Sequence, residues 1–207
     1  LAALSRRELD RWRDEGGAPD VRQNGKLVLL PDAAAFASAR AQMALQARLG
    51  CQQQALDAHE CRHLEPALND AATSFAGGIH TPGECVVDPM SMSEALLAAL
   101  RRHPDFELRS GCEVTGARRQ GDAIVAVQVA DSDDCPVDQL VLAAGPGSAP
   151  LARRLGLTLP VAPMKGYSID VADHALTRWP TVSITDSARR VVFAPLLDGD
   201  RRRLRVA

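Results

Sequence analysis

The feature that most limits the fold is an apolar run that ends in a small-residue loop. Residues 137–142 are mostly apolar, and Ala143, Ala144 and Gly145 follow them directly. Such a run predicts a buried β-strand. Two alanines and a glycine leave the backbone uncovered, so a flat or phosphorylated ligand can approach it closely. We therefore expect this strand to end beside a bound cofactor.

The glycines of this loop do not complete a dinucleotide-binding fingerprint. Gly145 and Gly147 begin a G-x-G pattern, but Pro150 stands where the third glycine belongs and Pro146 has no N–H to offer a phosphate. No strand–helix–strand unit opens around the loop, as that fingerprint requires. We therefore exclude a primary phosphate-binding loop at this position.

Composition narrows the class of protein. The 207 residues are 46% hydrophobic, which is enough for a packed core. The 24 Lys and Arg nearly balance the 26 Asp and Glu, so nothing favours general binding to nucleic acid or to a membrane surface. We also find no apolar window as long as the roughly 18 residues of a membrane span. The basic run Arg201–Arg203 with Arg205 is interpreted as a solvated turn between strands.

Cysteine and histidine spacing does not predict a metal site. The five cysteines are scattered without a C-x-x-C pair, which favours reduced thiols in the cytoplasm. His59 and His63 stand four residues apart around Cys61, but no second ligand pair follows them. We interpret this stretch as the surface of a helix and predict no bound metal.

Local patterns predict four helices and a longer series of strands. Asp32 and the pair Asp88-Pro89 have the residue types that begin helices. Short links after residue 163 favour antiparallel pairing there. The predicted helices are 4–15, 33–49, 57–64 and 89–100. The predicted strands are 26–30, 75–82, 106–109, 113–118, 123–129, 139–143, 165–171, 181–185, 190–195 and 204–206.

Several runs, taken in order, resemble one known family. They are similar to the middle of the bacterial D-amino-acid dehydrogenases, which belong to the FAD-dependent amine and amino-acid oxidoreductases together with glycine and sarcosine oxidases. The runs are Leu64-Glu65-Pro66, residues 77–82 with Asp88-Pro89, residues 141–148, residues 163–168 and residues 204–207.

The resemblance implies an α/β (α+β) fold of the D-amino-acid oxidase type. Residues 1–87 and 158–207 would form parts of a mixed-sheet substrate domain, and residues 88–157 the central part of an FAD-binding domain. In the family, the FAD pyrophosphate loop and a substrate-carboxylate arginine lie in opening and closing segments that this sequence does not show. The first residue is not Met, and the last four have the alternation of a strand. We therefore expect an internal fragment that is inactive alone and binds FAD weakly or not at all.

The resemblance also implies an activity for the whole protein. It would oxidise D-amino acids to 2-oxo acids through an imine, in the cytoplasm or peripherally at the inner membrane, with an electron acceptor that stays open. One alternative is a glycine- or sarcosine-type oxidase, which oxygen itself would reoxidise. The other is a stand-alone α+β binding module that never contacts a flavin.

Four residues are the FAD-side candidates. By resemblance, the backbone of Val114 meets the adenine, and Ala143, Ala144 and Gly145 pass near the ADP moiety. Relatives commonly have a small residue and a tryptophan where this chain has Pro146-Gly147. The alternative is that the Ala-Ala-Gly run only packs a strand tightly against a helix.

The substrate-side candidates are Tyr167, Lys165 and His80. Hydride passes from the substrate α-carbon to the flavin, so the protein mainly orients the substrate and matches its charges. Tyr167 is the one tyrosine of the chain and offers a hydroxyl. Each of the three has a purely structural alternative. Arg189 or Arg190 would suit the substrate carboxylate, although their spacing favours neither.

Overall fold

The computed structural model describes residues 2–17, 21–70, 74–198 and 201–207. The chain divides into two compact units, one made of Leu1–Pro104 with Tyr167–Ala207 and the other of Asp105–Gly166. The second unit lies largely within the segment 88–157 expected to serve the cofactor. The assignment of 1–87, 88–157 and 158–207 to substrate and FAD domains stays a prediction.

The helices begin where the sequence places their caps. Asp32 accepts a hydrogen bond from the Ala35 N–H at 2.8 Å, and Asp57 forms a capping box with Glu60. Asp88 accepts one from the Met90 N–H at 3.2 Å. All four predicted helices are confirmed. The helices are α1 (Ala2–Asp14), α2 (Ala33–Arg48), α3 (Ala58–Leu64), α4 (Pro89–Leu100) and α5 (Ser148–Arg154).

Seven strands of the first unit form one mixed sheet, as predicted. The strands of the chain are β1 (Lys26–Leu30), β2 (Gln54–Asp57), β3 (Gly77–Thr81), β4 (Val114–Gln120), β5 (Ala123–Val129), β6 (Cys135–Pro136), β7 (Ile169–Ala172), β8 (Ser183–Asp186), β9 (Val191–Asp198) and β10 (Arg201–Val206). The order across the sheet is β2-β3-β1-β8-β9-β10-β7. Among the described strands of this sheet, only β1 and β8 pair in parallel, so the antiparallel pairing predicted after residue 163 is confirmed.

The two faces of this sheet differ in what they carry. Leu27, Leu29 and Ile184 share the face that we call the core face, where Cys61 of α3 packs on them. Arg203 and Arg205 of β10 point to the opposite face, which we call the arginine face, because side chains alternate along a strand. On the same arginine face, but at β3 near the other edge of the sheet, α2 packs against the strand. The core face is therefore apolar and covered, whereas the arginine face is polar at β10.

The buried carboxylate of Glu65 links the two chain segments that make up the first unit. Glu65 follows α3 and is 0% exposed. Its Oε1 accepts the Ala67 N–H at 3.0 Å, while its Oε2 accepts the N–H groups of Thr181 and Val182 at 2.6 and 3.0 Å and the Thr181 hydroxyl at 2.9 Å. These hydrogen bonds join the residues just before β8 to the residue that follows α3. The sequence indicated only a helix exit here.

The second unit contains a small meander and one helix. Strands β4, β5 and β6 pair in that order, and Arg119 of β4 donates to the Leu155 carbonyl at 3.2 Å at the end of α5. The meander predicted at 113–118 and 123–129 is confirmed.

Two predicted strands are wrong, at 106–109 and at 139–143. Residues 137–144 have no strand geometry, and the Val141 side chain is 85% exposed. The apolar pattern indicated burial, but a strand also needs a partner, and no described strand pairs with residues 139–143. Two short strands, β2 and β6, were not predicted, and β7 begins at Ile169, later than the predicted residue 165.

Candidate functional site

The FAD-side candidates all lie in the second unit. Val114 is the first residue of β4 and pairs with Val129. Ala143 and Ala144 are exposed and lead into a 3₁₀ turn at Gly145–Gly147 that continues as α5. Gly145 has φ +55°, a backbone conformation that favours glycine.

The loop is open rather than packed. A Cβ added to Gly145 would meet no described atom within 4 Å. This geometry does not support the alternative that the Ala-Ala-Gly run only packs a strand tightly against a helix. The loop and Val114 belong to one structural block, because Arg154 of α5 donates a hydrogen bond to the carbonyl of Thr115. A flat group therefore has room beside the loop, and the role of these four residues toward FAD stays a prediction.

Two of the three substrate-side candidates, Tyr167 and His80, lie far apart within the first unit. Lys165 is an exposed residue near the end of the second unit. Tyr167 precedes β7, the last strand of the large sheet, and is 80% exposed. His80 lies on β3, five strand positions away, which corresponds to roughly 24 Å. The structure therefore does not bring Tyr167 and His80 together, and the role of each of the three residues stays a prediction.

His80 is a buried residue of the core face. It is 8% exposed, and its Nδ1 lies 3.4 Å from Oε1 of Gln54. A Cβ on Gly25 would come within 2.7 Å of its Nε2, so the ring is closely enclosed. Burial holds the pKa of His80 below its ordinary value of 6.5.

This burial predicts a pH effect on stability. The unfolded chain takes up a proton near pH 6.5, whereas folded His80 does so only at lower pH. The stability gained from neutral His80 is therefore complete above pH 6.5 and declines as the pH falls toward the folded pKa. Urea unfolding at pH 7.5 and 5.5 should show a larger loss for the wild type than for His80→Gln. Equal losses in the two proteins would contradict this.

Two acidic residues and two arginines form a ladder on the arginine face. Asp88, the cap of α4, is hydrogen-bonded to Nη2 of Arg203. Nη1 of Arg203 lies 3.1 Å from Oδ2 of Asp170 on β7. The Asp170 carboxylate also receives Nε of Arg205 at 2.8 Å and Nη2 of Arg205 at 2.9 Å. These contacts hold the pKa of Asp170 below its usual range, chiefly through the Arg205 hydrogen bond.

The ladder corrects one interpretation of the sequence. Arg203 and Arg205 belong to β10 and are paired with carboxylates, so the run is not simply a solvated turn. The sequence pattern that indicates a strand here is the alternation of Arg203, Leu204 and Arg205, which is typical of a strand with one buried face. The acidic partners come from distant parts of the chain, so the sequence alone could not pair them.

Arg189 lies beside a cleft on the opposite, core face. Its Nη1 is 2.7 Å from Oδ2 of the buried Asp186 at the end of β8. The cleft has a volume of about 420 Å³, with an apolar floor that includes Phe193 and Leu204. A second ion pair, between Arg178 and Asp70 at 3.2 Å, lies at the same cleft. Arg190 is an exposed turn residue with φ +56° between β8 and β9.

The histidines of α3 and Cys61 face different surroundings. Cys61 is buried in the core, where desolvation raises the pKa of its thiol to about 11. His59 and His63 instead line a separate cleft beside β2. Among the described residues, no group of three or more potential ligands converges on a metal position. Within the same residues, no helix is both long and apolar enough to cross a membrane.

Comparison with known proteins shows which family the chain belongs to. The family of FAD dependent oxidoreductases named DAO matches residues 1–206. The chain belongs to this family. Its fold and its expected cofactor are therefore those of FAD-dependent oxidoreductases, as the sequence predicted.

Curated relatives and solved structures extend the match. The chain is 41% identical to "D-amino acid dehydrogenase 2" of Pseudomonas aeruginosa, over 99% of this chain and 47% of that protein. It is 35% identical to "D-amino acid dehydrogenase" of Paramagnetospirillum magneticum, over 98% of this chain and 47% of that protein. The chain thus spans about half the length of the curated relatives it matches. Glycine oxidase from Geobacillus kaustophilus shares the fold, with a TM-score of 0.80, 20% identity and coverage of 98% of this chain and 52% of that one.

Proposed function

We propose that the whole protein is an FAD-dependent enzyme that oxidises D-amino acids to 2-oxo acids. The observation that carries this proposal is the match of residues 1–206 to the FAD dependent oxidoreductases, together with curated relatives named D-amino acid dehydrogenase at up to 41% identity. Bound FAD would supply the acceptor for the hydride that leaves the substrate α-carbon. The remaining tasks, holding the cofactor and orienting the amino acid, fall to the protein.

The open loop at Ala143–Gly145 and the first residue of β4, Val114, would hold part of the FAD. The left-handed backbone at Gly145 and the free space around it allow close approach of a planar or phosphorylated group. All five cysteines are unpaired, which is typical of reducing compartments and supports a cytoplasmic location.

A matched pair of glycine variants tests the loop. Gly145 and Gly121 both have positive φ, at +55° and +62°, and a Cβ would meet nothing within 4 Å at either. Valine therefore introduces similar backbone strain at both positions. In the whole protein, Gly145→Val should weaken FAD binding about tenfold through lost space for the cofactor, whereas Gly121→Val should not. Flavin content after dialysis measures this, and equal losses in both variants would contradict the role of the loop.

Turnover by the whole protein tests the activity. D- and L-alanine would be assayed with a dye acceptor without oxygen, and with oxygen alone. We expect dye reduction with the D-isomer only. Efficient turnover with oxygen alone would favour a glycine- or sarcosine-type oxidase, and turnover of only the L-isomer would overturn the proposal.

A further inference from the structure

We propose that His59 and His63 together bind one divalent transition-metal ion of the class that prefers imidazole ligands, such as Zn²⁺ or Cu²⁺. The two residues stand four positions apart on α3, about one helical turn from each other. The Cβ atoms of such a pair lie about 5–6 Å apart, so two imidazoles can reach a single ion at about 2.0–2.1 Å. This site goes beyond the proposed oxidation of amino acids and does not depend on it.

Both imidazoles are available to a metal ion. His59 and His63 are exposed, and they line the same cleft beside β2. Within the described part of the chain, neither ring makes a hydrogen bond or an ion pair. A neutral imidazole has one unprotonated nitrogen, which is the atom that binds a metal. The ion therefore binds without breaking an existing contact of either ring.

The helix that carries the two histidines is held firmly in place. Asp57 forms a capping box at its start, and Cys61, midway between the histidines, is 0% exposed in the core. Because successive residues turn by about 100° around a helix, His59 and His63 both point away from the face of Cys61. The hydrogen bonds of Glu65 fix the other end of α3. A site that is already formed loses little entropy when the ion binds.

Glu60 distinguishes this site from that of a zinc peptidase. His59, Glu60 and His63 have the H-E-x-x-H spacing of helices in metalloproteases, where the glutamate acts as general base. Here Oε2 of Glu60 accepts the backbone N–H of Asp57 at 2.7 Å, so the carboxylate is turned back toward the start of the helix. Among the described residues, no third His, Cys, Asp or Glu joins the pair. Water therefore completes the coordination shell, and Glu60 contributes only its negative charge.

The sequence predicts no metal at α3 because a structural zinc site needs four protein ligands. A site completed by water needs only the pair of histidines and a rigid helix between them. An ion that binds the folded helix and not the unfolded chain stabilises the folded state. Since Glu65 joins the end of α3 to Thr181 just before β8, we expect the ion to raise the unfolding temperature of the first unit.

The test uses the whole, flavin-loaded protein, with Zn²⁺, Cu²⁺ and Mg²⁺ as probes. Titration calorimetry gives the affinities, and thermal unfolding is followed with and without Zn²⁺. The variants are His59→Gln, His63→Gln, the double variant and Glu60→Gln. His174→Gln is the matched control, because His174 is also an exposed histidine but lies outside α3.

Each single histidine variant should weaken Zn²⁺ binding about tenfold or more, because the ion loses the gain from its second ligand. Glu60→Gln removes a charge but no ligand, so it should weaken binding by no more than about threefold. His174→Gln should bind like the wild type. Cu²⁺ should bind more tightly than Zn²⁺, and Mg²⁺ should not bind. Zn²⁺ should raise the unfolding temperature of the wild type but not of the double variant.

Three results would overturn the proposal. One is a folded double variant that binds Zn²⁺ as tightly as the wild type. Another is a loss in His174→Gln as large as the loss in His59→Gln. The third is a tenfold loss in Glu60→Gln, which would make the carboxylate a ligand. If a glutamine variant does not fold, alanine is used at the same position, because it is the strongest helix former.

Discussion

Replacing Glu65 with alanine is expected to lower the free energy of unfolding by about 4 kcal/mol or more. The carboxylate is 0% exposed and accepts three backbone N–H bonds and one hydroxyl bond, from Ala67, Thr181 and Val182. Alanine leaves these donors buried without a partner, and each such donor costs about 1–3 kcal/mol. Urea unfolding followed by circular dichroism gives the measurement.

Two further variants separate this cause from a general effect of removing a glutamate. Glu65→Gln keeps the shape and one acceptor oxygen but turns an NH₂ group toward donors, so we expect an intermediate loss of about 2 kcal/mol. Glu94→Ala, on the exposed surface of α4, should change stability by less than about 0.5 kcal/mol. A Glu65→Ala protein within about 1 kcal/mol of the wild type would show that water or rearranged backbone replaces the carboxylate.

Helices α2, α3 and α4 could be predicted because their signals are local, whereas α5 was not predicted. Asp32, Asp57 and Asp88 each bond a backbone N–H two or three residues away, so a short window of sequence contains the whole motif. The family resemblance added the cofactor and the mixed sheet. These parts of the fold and of the chemistry follow from the sequence alone.

The predictions that failed concern residues whose partners lie far away in the sequence. Residues 139–143 have the pattern of a buried strand, yet no described strand pairs with them and Val141 is exposed. The sequence predicts a helix that ends just before Glu65 but not the bonds of Glu65, because its partner Thr181 lies 116 positions later in the chain. The ion pairing of Arg205 was missed for the same reason, although a strand was predicted at 204–206, since Asp170 reaches Arg205 only through the pairing of β7 with β10. Pairing across the sheet, rather than propensity, determined each of these outcomes.

Gly77 provides the second large effect, because β3 has no room there for a side chain. A Cβ at Gly77 would lie 2.7 Å from the carbonyl oxygen of Leu56 and 2.9 Å from Cζ of Phe36. Leu56 belongs to the neighbouring strand β2, so its carbonyl moves only if the ladder between β2 and β3 is distorted. We therefore expect Gly77→Ala to lower the free energy of unfolding by about 3 kcal/mol, at the upper end of overpacking costs.

Gly78 and Gly83 are the matched comparisons for this prediction. At Gly78 the atoms closest to an added Cβ are side-chain tips, Cδ1 of Leu27 at 2.8 Å and Sγ of Cys61 at 2.9 Å, which can shift more easily than a carbonyl. Gly78→Ala should therefore cost less than Gly77→Ala, and Gly83→Ala, where nothing lies within 4 Å, should be close to neutral. Amide hydrogen exchange should show lost protection on β2 in Gly77→Ala, since that is the strand displaced. If β2 keeps its protection and all three variants are equally stable, the close approach at Gly77 does not limit the fold.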